Sequence, residues 1–260
     1  MHPLVSAEIP DLDFHRYLNF GGLPPIYLSD DPRSDLKAYI ATYLKEEIQA
    51  EALVRNLAGF TRFLPVAGLL NGQIISVSSV ARDCGVERTT VAGFLEILKD
   101  TLLAFSVPGF EARIRVKERK HPKLYWSDNG VARAARGDYG QIAGEERGAL
   151  FESWIAQVFR SYQSYRDSFD ELYYWSSTEA KDVEVDFLLK RGRRFVAIEA
   201  KSGTRFRNDW LKNLRAISTL PGLGRRIVVY AGRESMKSND GIEIMPHGEF
   251  CEQLDESGLF

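Results

Sequence analysis

Two apolar runs dominate the hydrophobic pattern of the C-terminal half: Glu184-Val185-Asp186-Phe187-Leu188-Leu189 and Phe195-Val196-Ala197-Ile198-Glu199-Ala200-Lys201, separated by Lys190-Arg191-Gly192-Arg193-Arg194. β-prone runs on either side of a short break containing glycine predict a β-hairpin. A side-chain period of two puts Glu199 and Lys201 on one face of the second strand and Val196, Ile198 and Ala200 on the other. On the first strand Val183, Val185, Phe187 and Leu189 make the apolar face and leave Glu184 and Asp186 opposite. If both strands pack their apolar sides the same way, Asp186, Glu199 and Lys201 converge.

The rest of the chain alternates helical and strand periods. Residues 1 to about 34 are rich in turn formers, with Gly21-Gly22-Leu23-Pro24-Pro25, and read as a connecting, partly irregular segment. From Asp35 to about Leu57, Leu36, Tyr39, Ile40, Tyr43, Leu44 and Ile48 recur at three and four and predict a helix. Phe60 to about Leu70 is a further helix. After Asn71-Gly72 come a short helix capped by a serine and ended by Gly85, and a second helix from about Arg88 to Lys99 with Val91, Phe94, Leu95 and Leu98 on one stripe. Two apolar strands follow, Leu102 to Val107 and Lys123 to Trp126. Together these elements read as a winged helix.

Beyond it, a short helix from Val131 is stopped by Gly137, and Glu145 to about Tyr162 is a helix with a stripe of Phe151, Trp154, Ile155, Val158 and Phe159. Leu172-Tyr173-Tyr174-Trp175 is a strand by its aromatic content. After Lys201 a basic loop carries Arg205 and Arg207, a helix covers about Asn208 to Leu220, and Arg226-Ile227-Val228-Val229-Tyr230-Ala231 is a continuous apolar strand. Such a run suits a parallel strand buried on both faces and reached by a crossover helix. The fold class predicted is α/β: a helical N-terminal segment and winged helix, then a mixed sheet flanked by helices. The boundaries expected are 1–59 for the linker and helix, 60–136 for the winged helix and 137–260 for the sheet domain.

Composition adds limits. The chain has 260 residues, is 44% hydrophobic and 27% charged, and carries a formal net charge of −2. That is an ordinary globular composition with no global attraction to nucleic acid, so any DNA contact must come from local basic patches. No run approaches 18 apolar residues and the N-terminus lacks a signal-like core, which points to a cytoplasmic protein with no membrane contact. Cys84 and Cys251 stand far apart, outside metal or redox spacing, and read as free thiols.

Two carboxylates and a lysine suit hydrolysis of a phosphodiester with Mg²⁺ or Mn²⁺. The carboxylates hold a hard cation that polarises the phosphate and activates water, and the lysine orients that water or stabilises the charge developing on phosphorus. An acid and a base two apart on a strand also form ordinary solvated surface pairs, and that alternative stands beside the first. For nucleic acid the helix from Arg88 offers Arg88, Thr89 and Thr90 but also Glu96 and Asp100. A denser basic strip follows, with Arg113, Arg115, Lys117, Arg119, Lys120 and Lys123 around Ile114 and Val116, able to neutralise phosphates without reading sequence. A solvated hairpin or a protein-docking wing is the alternative for that strip.

Asp186 followed by Glu199-Ala200-Lys201 resembles the PD-(D/E)xK nuclease superfamily. That resemblance implies a restriction-endonuclease-like sheet and a further acid on an upstream helix, which Leu150-Phe151-Glu152 fits with Glu152 as an outer metal ligand. Over nearly its whole length the chain resembles the C-terminal half of prokaryotic AAA+-type ATPases, in which a winged helix and a nuclease-like domain of unassigned function follow the ATPase module. The likeness rests on His2-Pro3-Leu4 with Glu8, Gly21-Gly22-Leu23-Pro24, Tyr43-Leu44, the paired helices and Tyr125-Trp126-Ser127-Asp128-Asn129-Gly130, besides the acidic motifs. It places Met1 where the ATPase module ends, and implies an ATPase module or partner subunit.

No Gly-x-x-x-x-Gly-Lys-Ser/Thr loop occurs, so no ATP site is expected in this chain. Two smaller departures are Glu87 where a better helix cap is usual, and Lys181-Asp182 before Glu184. Three functions follow as expectations: a metal-dependent DNA nuclease built on Glu152, Asp186, Glu199 and Lys201; a non-catalytic module that binds nucleic acid or protein; and a platform for the ATPase alone.

Overall fold

A computed structural model of the chain describes residues 2–42, 56–111, 121–177, 183–256 and 258–260. Two compact units emerge: residues 1–5, 11–106 and 123–143 form the first, and residues 6–10, 107–122 and 144–260 the second. Together they make a mixed α/β chain of helices and a mixed multi-stranded sheet.

In the first unit α1 (Phe14–Phe20) is capped by the Asp13 side chain, which accepts from the Arg16 N–H, and stopped by Gly21 at φ +80°. α2 (Pro24–Tyr27) and α3 (Pro32–Ala38) both open on proline, whose missing N–H costs nothing in a first turn. The segment read as partly irregular thus contains three short regular helices. Each is too short for a periodic apolar signal, and their capping residues read as turn formers. The helix expected from Asp35 begins at Pro32, and Tyr43, Leu44 and Ile48 lie outside the described residues.

Next come α4 (Leu57–Leu69), β1 (Gln73–Ile74), α5 (Val77–Cys84), α6 (Arg88–Asp100), β2 (Ala104–Val107), β3 (Lys123–Trp126) and α7 (Asn129–Ala135). Ser76 caps α5 and Gly85, at φ +63°, ends it, leaving only Val86 and Glu87 before α6. The three strands are ordered β1-β3-β2. β3 is central and buried throughout, so Lys123, expected in an exposed basic strip, is only 4% exposed. Leu102, expected to open a strand, instead sits at φ +60° where the chain leaves α6. One core cluster holds Ile26 and Leu36 together with Phe60, Phe94, Leu98 and Trp126, so the N-terminal helices and the paired helices share a single hydrophobic core.

The second unit opens on α8 (Glu146–Arg166) and continues through β4 (Glu171–Ser176), β5 (Glu184–Arg191), β6 (Arg194–Lys201), α9 (Lys212–Ala216), β7 (Leu223–Tyr230), β8 (Met236–Lys237), β9 (Glu243–Pro246) and α10 (His247–Asp255). The sheet order is β4-β5-β6-β7-β9-β8. β4, β5 and β6 pair antiparallel; β6, β7 and β9 pair parallel. The hairpin read from the sequence is present, with Arg191 opposite Arg194 and Gly192 at φ +59° in a two-residue loop. β7 is the parallel strand expected from its apolar run, and the crossover into it carries α9, shorter than the helix read there because Asn208–Leu211 winds as a 3-10 helix and the α-helix ends at Ala216.

Both faces of this sheet are covered. Phe159 of α8 meets Phe187 at 5.2 Å and Phe250 of α10 at 5.8 Å. Leu211, Leu214 and Ile217, spaced by one helical turn, bury themselves on the other face with Val185, Leu188, Ala197 and Val228. β8, β9 and α10 were not read from the sequence. Ile242 and Ile244 alternate there, and Pro246 precedes a helix whose buried residues are Phe250, Cys251 and Leu254. Cys84 and Cys251 are free and buried. Among the described residues no helix is long and apolar enough to cross a membrane.

Candidate functional site

The strict alternation read for β5 fails at one point, and that point is the site. Tyr173 pairs with Leu188 and Trp175 with Val185, so three steps along β5 oppose two along β4. This is a β-bulge at Asp186-Phe187, and it turns Val185 and Leu188 to one face although their numbers differ by an odd count. The expected apolar set of Val183, Val185, Phe187 and Leu189 is therefore split between faces. Bulges of this kind re-aim a side chain, and the side chain here is Asp186.

Glu199 and Lys201 share a face of β6, as the period of two requires. That face is not a polar surface, because α9 covers it. Glu199 is 0% exposed, and each of its oxygens has a partner. Lys201 Nζ donates to Oε2 at 2.5 Å, and Asn213 Nδ2 donates to Oε1 at 3.1 Å. Lys201 Nζ also lies 3.7 Å from Asp186 Oδ2, and that same oxygen accepts the Ala200 N–H at 2.8 Å. Asp186, Glu199 and Lys201 thus converge within one ion-paired cluster, not as an exposed surface pair.

A cleft of about 300 Å³ opens above them, lined by Gly148, Glu152, Asp186, Ala200, Lys201, Ser202, Gly203 and Trp210. Glu152, half-buried on the second turn of α8, and Asp186 face it; Glu199 does not. Glu199 lies behind the Lys201 ammonium, which sets it apart from the directly exposed metal ligand expected from its motif. Gly203 leaves room for the neighbouring ring, since a Cβ there would meet the Trp210 ring at 2.9 Å.

The electrostatics agree with this geometry. Burial, then the charge of Asp186, pushes the Glu199 carboxyl up to about 8. Burial disfavours the Lys201 ammonium too, but Asp186, Glu199 and Glu152 more than offset it and hold Lys201 above its ordinary value. Burial is the main cause of the first shift and the surrounding carboxylates of the second, and Asp186 and Glu152 beside the single lysine leave room for a further cation. Two carboxylates facing a cleft, with room for water, fit a hard divalent ion such as Mg²⁺, which keeps much of its hydration shell. Among the described residues no three His, Cys, Asp or Glu side chains stand close enough to enclose a metal, so an ion here would take most of its ligands from water.

The residues expected to meet nucleic acid fare differently. Arg88 is exposed at the first position of α6. Arg113, Arg115, Lys117, Arg119 and Lys120 lie outside the described residues.

Sequence reasoning missed Asn213, whose helix was read without singling out any polar position, and a buried polar lock in the first unit. There the Asp128 carboxylate accepts from the N–H of Gly22 at 2.7 Å and of Val131 at 3.0 Å. Burial pushes that carboxyl up to about 6 against these bonds. A Cβ on Gly130 would meet the Phe20 carbonyl oxygen at 2.0 Å, so the glycines of both segments are close-approach positions. The signal available was the coincidence of Gly21-Gly22 and Asp128-Asn129-Gly130 in one chain. What joins them is tertiary contact across the first unit.

Residues 11–141 match the family model described as Domain of unknown function (DUF8612), just over half of the chain. The chain belongs to the DUF8612 family. Residues 147–250, which carry the whole acidic cluster of this DUF8612 protein, match a second model, Domain of unknown function (DUF4143). Uncharacterized proteins of Mycobacterium tuberculosis (Rv2008c) and Mycobacterium bovis (Mb2031c) are each 25% identical over 87% of the chain and 51% of their own length. The chain spans about half the length of these curated relatives. Protein VC1899 from Vibrio cholerae is a similar solved structure at 17% identity and a TM-score of 0.30, covering 87% of this chain and 55% of that one. At that score the likeness carries no argument.

Proposed function

We propose that the second unit is a divalent-metal-dependent phosphodiesterase of the PD-(D/E)xK type acting on DNA, and that the first unit is a winged helix that holds the nucleic acid. The observation carrying this reading is the convergence of Asp186, Glu199 and Lys201 beside Glu152 at one cleft, on a bulged strand and its hairpin partner. The order helix, strand, two helices joined by a tight turn, then two strands with β3 between β1 and β2 is that of a winged helix, and it supports the second part.

Asp186 and Glu152 would hold Mg²⁺ or Mn²⁺, with water completing the coordination, and Glu199 would stand behind Lys201 as a partner of the ammonium. When bound, the ion would polarise the phosphate and lower the pKa of an attacking water. Lys201 supplies the positive charge next to that water and to the developing negative charge on the phosphoryl oxygens. Glu199, held in a dry environment, keeps the ammonium in place. Arg88, with Arg113, Arg115, Lys117, Arg119 and Lys120, would contact the DNA backbone. An ATPase module, as in the AAA+ proteins this chain resembles, would be a partner supplied in addition.

One observation favours a second reading, a binding module that keeps the fold without cleavage: both Glu199 oxygens are already engaged, and the carboxylate stands back from the cleft. Incubating the chain with linear, single-stranded and branched DNA in Mg²⁺ and Mn²⁺ separates the two. Cleavage that Asp186→Ala and Lys201→Ala both abolish supports the nuclease. Intact DNA with every substrate, with the folded chain still retarding it on a gel, supports the binding module. If cutting persists in both variants, the site is elsewhere.

A further inference from the structure

We infer that Asn213 is a positioning residue for this site: its amide helps fix the rotation of the Glu199 carboxylate so that Oε2 is presented to Lys201, the ammonium that lines the cleft. The inference rests on the nuclease reading and extends it to a residue on a different element. The geometry begins with the two Glu199 oxygens. Oε2 meets Lys201 Nζ at 2.5 Å, and Oε1 meets Asn213 Nδ2 at 3.1 Å. A carboxylate held at one oxygen only can still turn about its last bond, whose torsion is broad, so a second partner on Oε1 narrows the direction of Oε2. Asn213 is well placed to do so, because α9 is itself anchored. Leu211, Leu214 and Ile217 are each no more than 1% exposed and pack on the strands that carry Glu199 and Asp186.

The choice of residue is also informative. The Glu199 carboxylate sits with Asp186 in a cluster already rich in negative charge, and an amide donates a hydrogen bond there without adding a charge. A lysine in place of Asn213 would add a cation and compete with Lys201 and with any metal. An aspartate would repel Glu199. Outer partners that orient a metal-binding carboxylate typically contribute 10- to 100-fold in metal affinity. Asn213 donates to the oxygen that Lys201 does not contact, as such a partner does.

Calorimetric titration of the whole chain with Mn²⁺ tests this without relying on cleavage. Wild type, Asp186→Ala, Asn213→Leu, Asn213→Ala and Asn213→Gln are compared, each checked for native circular dichroism. Leucine keeps the volume and loses the donor; alanine serves if leucine does not fold; glutamine keeps an amide donor one methylene further out. The result expected is Mn²⁺ binding that Asp186→Ala abolishes, that Asn213→Leu or Asn213→Ala weakens about 10- to 100-fold, and that Asn213→Gln restores to within about threefold of wild type. Asp186-dependent binding unchanged by loss of the Asn213 amide overturns the positioning role and leaves the nuclease reading standing. Wild-type binding that does not depend on Asp186, or no binding at all, overturns both.

Discussion

Replacing Lys201 with methionine keeps most of the side-chain stem and removes the ammonium that separates Glu199 from Asp186. What that costs depends on pH, and the structure says how. The Glu199 carboxyl stands at about 8 in the folded chain against an ordinary 4.5, mainly through burial. A raised acid favours the native state fully below 4.5, and the advantage is lost as pH rises toward 8. Over that window the native carboxyl is protonated, Lys201 is not needed to neutralise it, and wild type and Lys201→Met should lose stability in parallel, with a modest offset of about 1 to 2 kcal/mol for the lost hydrogen bond. Above pH 8 the curves must part. Wild-type Glu199 ionises against Lys201 at 2.5 Å, whereas in the variant an ionised carboxylate is buried with no cation and with Asp186 beside it. The variant therefore keeps its proton, and its stability falls relative to wild type by about 1.4 kcal/mol per pH unit. The ceiling is the 3–5 kcal/mol typical of a broken buried pair. Hydrogen exchange of the amides in 184–201, measured from pH 6.5 to 9.5 after correction for intrinsic rates, reads the local opening free energy. A constant offset across that range would refute the reasoning, because it would mean that Glu199 is not exchanging a proton for the lysine.

Other perturbations test other parts of the molecule. Asp128→Ala strips the acceptor from the Gly22 and Val131 amides and should lower the urea stability of the first unit by about 2–4 kcal/mol, at the charged-group value of about 1.5–3 kcal/mol per bond less some relaxation; Trp126 fluorescence is the readout, and a loss below 1 kcal/mol would remove the lock from the account. Gly130→Ala drives a methyl to 2.0 Å from the Phe20 carbonyl and should destabilise the same transition by about 1–3 kcal/mol or more, whereas Gly93→Ala, with nothing within 4 Å of its Cβ, should not. Burial beside Phe151 and Trp154 pulls His247 down to about 4 from 6.5, so the unfolded chain binds its proton more readily between those values and stability falls as pH drops through the window, by up to about 3 kcal/mol. His247→Phe should flatten that acid limb in thermal melts of the second unit, and an unchanged limb would assign it to other groups.

Elements whose signals are local are legible in the residue pattern. The hairpin at 184–201 follows from two β-prone runs around Gly192, the paired helices follow from a serine cap, Gly85 and an apolar stripe, and β7 follows from an unbroken apolar run. The convergence of Asp186, Glu199 and Lys201 was also expected from a period of two and one hairpin, although the period itself fails at Asp186. The residue pattern does not show the elements whose signals are too short or too polar to stand alone: the capped helices before residue 39, the closing strands and α10, and the burial of Lys123 in a central strand.

The character of the site depends on distant packing. Whether an acid and a lysine two apart lie on a wet surface or in a dry cluster depends on what packs over them, and α9 is brought there by Leu211, Leu214 and Ile217, further along the chain. The bulge that aims Asp186 shows only in the register of β4 against β5, and the partner of Glu199 Oε1 comes from the covering helix. Local patterns fix which face of a strand a residue takes. The depth of burial, the excess of charge and the hydrogen bonds that hold it are set by segments the local pattern does not see.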